Sequence, residues 1–159
     1  MSETENDETE SDEIEIWDDL IGIKEDLLRG IYNYGFEKPS PIQKKAIIPI
    51  FKKTDIVAQA QSGTGKTGCF VIGVLQLIDV SLNETQCIIL APTRELAVQI
   101  GDALKVYGRD IPLRHTVVFG GVGQNAQVTA MRRGVDILVA TPGRLLDLFN
   151  QKHIRLDYS

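Results

Sequence analysis

Gly63 and Gly65 flank Thr64, and Lys66 and Thr67 follow at once. The whole run reads Ala60-Gln61-Ser62-Gly63-Thr64-Gly65-Lys66-Thr67, with apolar segments on both sides. Glycines at those positions let backbone N–H groups turn toward an anion. A helix starting here would add unpaired N–H groups and the positive end of its dipole. The Lys66 ammonium would then reach β- and γ-phosphates, and the Thr67 hydroxyl would ligate Mg²⁺. The chemistry predicted is capture of a nucleoside triphosphate, most simply ATP, with Lys66 and Thr67 as the catalytic pair. The bland alternative is a glycine-rich turn that only joins a strand to a helix. The pattern usually opens with Gly, where this chain has Ala60.

Such a loop needs a strand before it and a helix after it. Asp55 to Ala60 reads as the strand, and Thr67 to Ile78 as a helix apolar almost all round. The alternation then continues. Strands are predicted over Gln86–Ala91, His115–Phe119 and Asp136–Ala140. Helices are predicted over Arg94–Tyr107, Gly123–Arg133 and Pro142–Asn150. Upstream, apolar residues 27, 28, 31 and 34 have helical spacing, and Gly35 is a plausible stop. Ser40 can cap a helix opened by Pro41 and running to about Ile48. The fold class expected is α/β: a parallel sheet with helices on both faces and right-handed crossovers.

Three further segments carry a resemblance. Gly35-Phe36-x-x-Pro39-Ser40-x-Ile42-Gln43 comes before the glycine loop. Pro92-Thr93-Arg94-Glu95-Leu96-Ala97 and Thr141-Pro142-Gly143-Arg144 come after it. With the loop between them, and in chain order, they resemble the Q motif, motif I, motif Ia and motif Ib of DEAD-box RNA helicases. The segment Leu27–Tyr32 is similar to the translation initiation factor 4A branch, including its exon-junction relative. Val122, Gly68 and Cys69 depart from that branch. The resemblance implies part of the first P-loop, RecA-like ATP-binding domain of an ATP-dependent RNA helicase, incomplete at its C-terminal end and running from residue 14 to residue 159.

It also implies roles. Gln43 would select adenine through its paired donor and acceptor, with Phe36 beside the base; a solvated helix amide is the alternative. Trp17 would be the upstream aromatic near the adenine, or else a core anchor. Pro92, Thr93, Arg94, Glu95, Thr141, Pro142, Gly143 and Arg144 would meet RNA phosphates at two helix N-termini. Gly120-Gly121 would let the RNA backbone approach closely. Such contacts are independent of base sequence and sensitive to salt.

Charge fits these expectations without deciding them. Residues 1–19 hold ten of the 22 acids and no Lys or Arg. The rest holds 12 acids and all 17 bases, a net of +5. Met1 to Glu13 is expected to be a disordered acidic tail. The basic body permits a nucleic-acid partner. No run of 18 apolar residues appears, so no spanning helix or membrane partner is expected, and the acidic start is unlike a secretory signal. Cys69 and Cys87 are expected to be buried, reduced thiols of an intracellular protein, cytoplasmic or nuclear. His115 and His153 are given no chemistry.

One part is missing from the pattern. An ATPase of this kind holds Mg²⁺ with a carboxylate at a strand end, and no predicted strand ends in Asp or Glu. The resemblance places the D-E-A-D strand beyond Ser159, so the chain is expected to be the N-terminal portion of the enzyme, without turnover of its own. A non-catalytic module binding nucleotide, RNA or a protein of a translation or RNA-processing complex is the alternative. An unrelated loop-containing NTPase or kinase is a third.

Overall fold

Ile14, Trp17 and Leu20 recur at a spacing of three, and all three are buried. They lie on and beside one 3-10 turn, Trp17–Asp19. The Asp19 carboxylate accepts from the backbone N–H groups of Ile16 and Glu15 at 2.9 and 2.8 Å, which hold its carboxyl below the usual range. The computed structural model of the protein describes residues 14–57 and 65–154. Met1–Glu13, the 58–64 part of the glycine loop and the last five residues lie outside the described residues.

The chain forms two compact units. The first holds residues up to Leu77 together with Val106–Ile111. Its helices are α1 (Glu25–Tyr34), α2 (Pro41–Phe51) and α3 (Lys66–Leu77). Gly35 ends α1 in the left-handed conformation, φ +98°, as a glycine stop should. At the start of α2, Ser40 and Gln43 form a reciprocal capping box. This helix runs three residues past the expected end and contains Pro49. Proline removes one helical hydrogen bond. Here the continuation places Ile50 directly against Gly73 of α3, so packing offsets the lost bond.

Helix α3 carries a wide apolar surface, with Cys69, Val71, Ile72 and Leu75 buried. Lys24 ties the entry of α1 to its end, donating through Nζ to the Leu75 carbonyl at 3.0 Å. The expected strand at Asp55–Ala60 has no counterpart over 55–57, where the backbone is irregular and exposed; the remainder lies outside the described residues.

The second unit holds Ile78–Lys105 and the chain from Pro112. It contains β1 (Cys87–Leu90), most of α4 (Arg94–Tyr107), β2 (His115–Val118), α5 (Gln124–Arg132), β3 (Ile137–Ala140) and α6 (Pro142–Asn150). The three strands are parallel, in the order β1-β3-β2. Ile137 pairs with both Cys87 and His115, and Ala140 with both Leu90 and Val118. The predicted parallel α/β sheet is therefore the observed one.

Only the middle strand, β3, is buried along its whole length; β1 and β2 are partly open, so burial on both faces was over-extended to them. Val118, Leu138 and Ala140 pack with Leu148 of α6, and Val128 and Met131 of α5 join that core. At the other end of the strands, Asp136 is fully buried. Its carboxylate accepts from the Arg114 backbone N–H and from Arg114 Nη2, both at 2.8 Å. A buried carboxylate is tolerable because it is paired and hydrogen-bonded.

The expected burial holds fully for Cys69 but only in part for Cys87. Cys69 is buried, Cys87 half-buried, and burial pushes each thiol up to about 11. No helix among the described residues is long and apolar enough to cross a membrane.

Candidate functional site

In the first unit, the capping box of α2 meets the start of α3. Gln43 is only 2% exposed, so the solvated-amide alternative is excluded. Its Oε1 accepts from the Ser40 backbone N–H at 2.9 Å. Its Nε2 donates to the Gly65 carbonyl at 3.3 Å. One amide hydrogen is left over on Nε2 and a second lone pair on Oε1.

Gly65 has φ +92°, and a Cβ there would come within 2.7 Å of Gln43 Nε2 and 3.2 Å of Ser40 Oγ. A side chain at this glycine would be strained by the backbone and would displace the Gln43 amide. Lys66 opens α3 and is exposed, while Thr67 beside it is half-buried. The described end of the loop brings together a glycine in the left-handed region, a helix N-terminus, an ammonium and a hydroxyl, the groups from which an anion site can be built. Gln61, Ser62, Gly63 and Thr64 lie outside the described residues.

Phe36 is half-buried, its ring 4.8 Å from that of Tyr34 and 6.0 Å from that of Tyr107, nearly parallel to the latter. Burial pushes the Tyr107 hydroxyl above its usual range, with Tyr34 adding to the shift. Sequence reasoning found Phe36 but missed its two ring partners, because Tyr107 is distant in sequence. Trp17 is fully buried and has no ring face open to a base, which fits the core-anchor alternative.

In the second unit, three motifs leave the C-terminal ends of three adjacent parallel strands. Pro92-Thr93-Arg94-Glu95 follows β1, Gly120-Gly121 follows β2, and Thr141-Pro142-Gly143-Arg144 follows β3. The ladder extends past the strands, with Ala91 N donating to the Ala140 carbonyl and Thr141 N to the Val118 carbonyl. Open α/β sheets place ligands at such ends.

Thr93 caps α4, its hydroxyl accepting from Leu96 N at 3.2 Å. Thr141 is the N-cap of α6 but makes no side-chain cap bond. Pro92, Thr93, Arg94, Glu95, Pro142 and Gly143 are exposed. So are Gly120 and Gly121, where an added Cβ would meet nothing, and Gly121 has φ +82°.

The two arginines both turn to the double-glycine loop. The Arg94 guanidinium carbon lies 4.6 Å from the centroid of the Phe119 ring. Arg144 donates from Nη2 to the Val122 carbonyl and from Nη1 to Gln127 Oε1, each at 3.0 Å. Gln127 in turn donates from Nε2 to the Phe119 carbonyl at 3.1 Å. Gln127 escaped the sequence reading. Its signal was a polar residue on the face of α5 that Val128 and Met131 bury.

His115 stays without assigned chemistry: burial, then Lys105, lowers its pKa, which favours the neutral ring. No cluster of three or more metal-ligating side chains occurs among the described residues.

Residues 40–158 match the DEAD/DEAH box helicase family. The chain is 47% identical over 137 residues to an ATP-dependent RNA helicase, FAL1, of Mycosarcoma maydis, covering 86% of this chain and 34% of that protein. It is 47% identical over 146 residues to eukaryotic initiation factor 4A of Drosophila melanogaster, covering 91% of this chain and 36% of that protein. Among solved structures it resembles a DEAD box protein from Methanococcus jannaschii, with a TM-score of 0.84 and 35% identity over 91% of this chain and 39% of that one. A hypothetical ATP-dependent RNA helicase from Sulfolobus tokodaii gives 0.74 and 33% over 82% of this chain and 38% of that one. The chain spans about a third of the length of these curated relatives. Taken with four motifs in order and a matching parallel sheet, this makes the chain a member of the DEAD/DEAH box helicase family.

Proposed function

We propose that this chain supplies the ATP-facing and RNA-facing motifs of an ATP-dependent RNA helicase, in which ATP hydrolysis is coupled to local opening of short RNA duplexes. The observation that carries the reading is the link from buried Gln43 to Gly65, which joins the adenine-selecting residue to the phosphate loop. Adenine would take the remaining donor and acceptor of Gln43, beside Phe36. The phosphates would lie over Gln61–Thr67, with Lys66 opposite the terminal phosphates. Thr67 would be the chain's own ligand to Mg²⁺. When bound, the metal neutralises developing phosphate charge.

RNA would lie along the exposed ends of the sheet in the second unit. Thr93, Arg94, Glu95, Thr141, Gly143 and the double glycine, which lie at those strand ends, would contact the sugar-phosphate backbone. The relatives named for translation initiation and for RNA helicase activity support the same reading. Protein partners from a translation or RNA-processing complex belong to this proposal too.

Gln43→Ala tests it. ATP affinity is expected to fall about tenfold, the worth of one good buried hydrogen bond, while GTP affinity stays unchanged. Equilibrium titration with fluorescent ATP and GTP reads both. An ATP-to-GTP ratio equal to that of the unmodified chain would count against the assignment of Gln43 and favour an unrelated nucleotide-binding protein.

A further inference from the structure

Gly120 and Gly121 are the most pliable pair in the RNA-facing part of the second unit, since glycine loses the most conformational freedom on ordering. A loop that must order as it binds loses affinity in proportion. Here the loop is gripped at both ends. The Phe119 carbonyl, just before the glycines, accepts from Gln127 Nε2 at 3.1 Å. The Val122 carbonyl, just after them, accepts from Arg144 Nη2 at 3.0 Å. The two grips are one device, because Arg144 Nη1 also donates to Gln127 Oε1 at 3.0 Å. Gln127 is 8% exposed, so its amide is engaged by protein at both the donor and the acceptor end.

We infer that Gln127 is a positioning residue: through Arg144 it clamps the Gly120-Gly121 loop into the shape on which an RNA backbone lies. The inference rests on the RNA reading above and extends it to a residue in none of the recognised motifs. It also assigns Arg144 a second role. Two of its nitrogens hold the loop, so part of its effect on RNA is exerted through glycines that carry no charge. Arg94, stacked on Phe119, bears on the same loop from the β1 side.

The test uses the full chain and a fluorescent decauridylate, read by anisotropy at fixed salt. Gln127→Met keeps the volume and removes both polar ends. It is expected to bind RNA about tenfold more weakly, with ATP affinity unchanged and with broadened or shifted Gly120 and Gly121 amide resonances. Combined with Arg144→Ala, the loss is expected to be no larger than that of Arg144→Ala alone, as for residues acting in one unit.

Should Gln127→Met fail to fold, Gln127→Glu serves instead. It keeps an acceptor for Arg144 but faces the Phe119 carbonyl with a carboxylate, and the same loss is expected. Unchanged RNA affinity, or losses that multiply independently, would overturn the inference while leaving RNA binding intact. Absence of RNA binding by the unmodified chain would overturn the RNA reading itself, and the inference with it.

Discussion

Gly65→Ala is expected to weaken ATP binding by about a hundredfold. Two costs fall on one methyl group. At φ +92° an L-residue is strained, by roughly 1–3 kcal/mol. The new Cβ would also stand 2.7 Å from Gln43 Nε2 and 3.2 Å from Ser40 Oγ. The least costly relief is to push the Gln43 amide away, since a side chain moves more readily than the start of α3. That relief breaks the donation from Nε2 to the Gly65 carbonyl and removes the base-selecting group from its place. Strain and displacement therefore act on the same site, and both act against nucleotide. Calorimetric titration with Mg-ATP checks this. An affinity within threefold of the unmodified chain would mean that the loop does not hold phosphate in this geometry.

Gly30→Ala is expected to damage the fold instead. Gly30 lies in α1 and is buried, facing the backbone of Tyr107. A Cβ there would overlap the Tyr107 carbonyl oxygen and come within 2.8 Å of the carbonyl carbon. Nothing in that contact is a flexible side-chain end. Alanine would gain about 1 kcal/mol in helix propensity, yet overpacking against rigid backbone costs about 1–3 kcal/mol or more. Backbone on both sides puts this site at the upper end, so a net loss near 2 kcal/mol and a fall in Tm of roughly 4–8 °C are expected. Gly143→Ala is the control, because a Cβ there would meet nothing within 4 Å. A thermal melt showing equal stability for the two variants would contradict the close approach of Gly30 to Tyr107.

The two glycines also show how far the sequence could be read. Gly65 was legible because its neighbours Lys66 and Thr67 announce a phosphate loop. Gly30 was not, since its reason is Tyr107, far along the chain. Local signals served well elsewhere. Arg94–Tyr107 and Pro142–Asn150 have the predicted helix ends, because a strand exit and a Pro at the first position mark them. Ser40 capped α2 as its type implies.

The failures were failures of context. The helix opened by Pro41 was expected to end near Ile48, but packing on Gly73 carried it through Pro49 to Phe51. Gln43 alone read as a surface amide until the fold buried it against Gly65. The arginines were read as free to meet phosphate. Their engagement with Phe119, Val122 and Gln127 depends on strands β1, β2 and β3 lying side by side, which no local pattern encodes.

The central claim is that the loop beside Gln43 takes an adenine nucleotide. The most direct test is a titration of the unmodified full chain with Mg-ATP and, in parallel, with Mg-GTP. Saturable one-to-one binding of ATP, with GTP at least about tenfold weaker, is the predicted result. Equal affinities for the two nucleotides, or no binding of either, would contradict it.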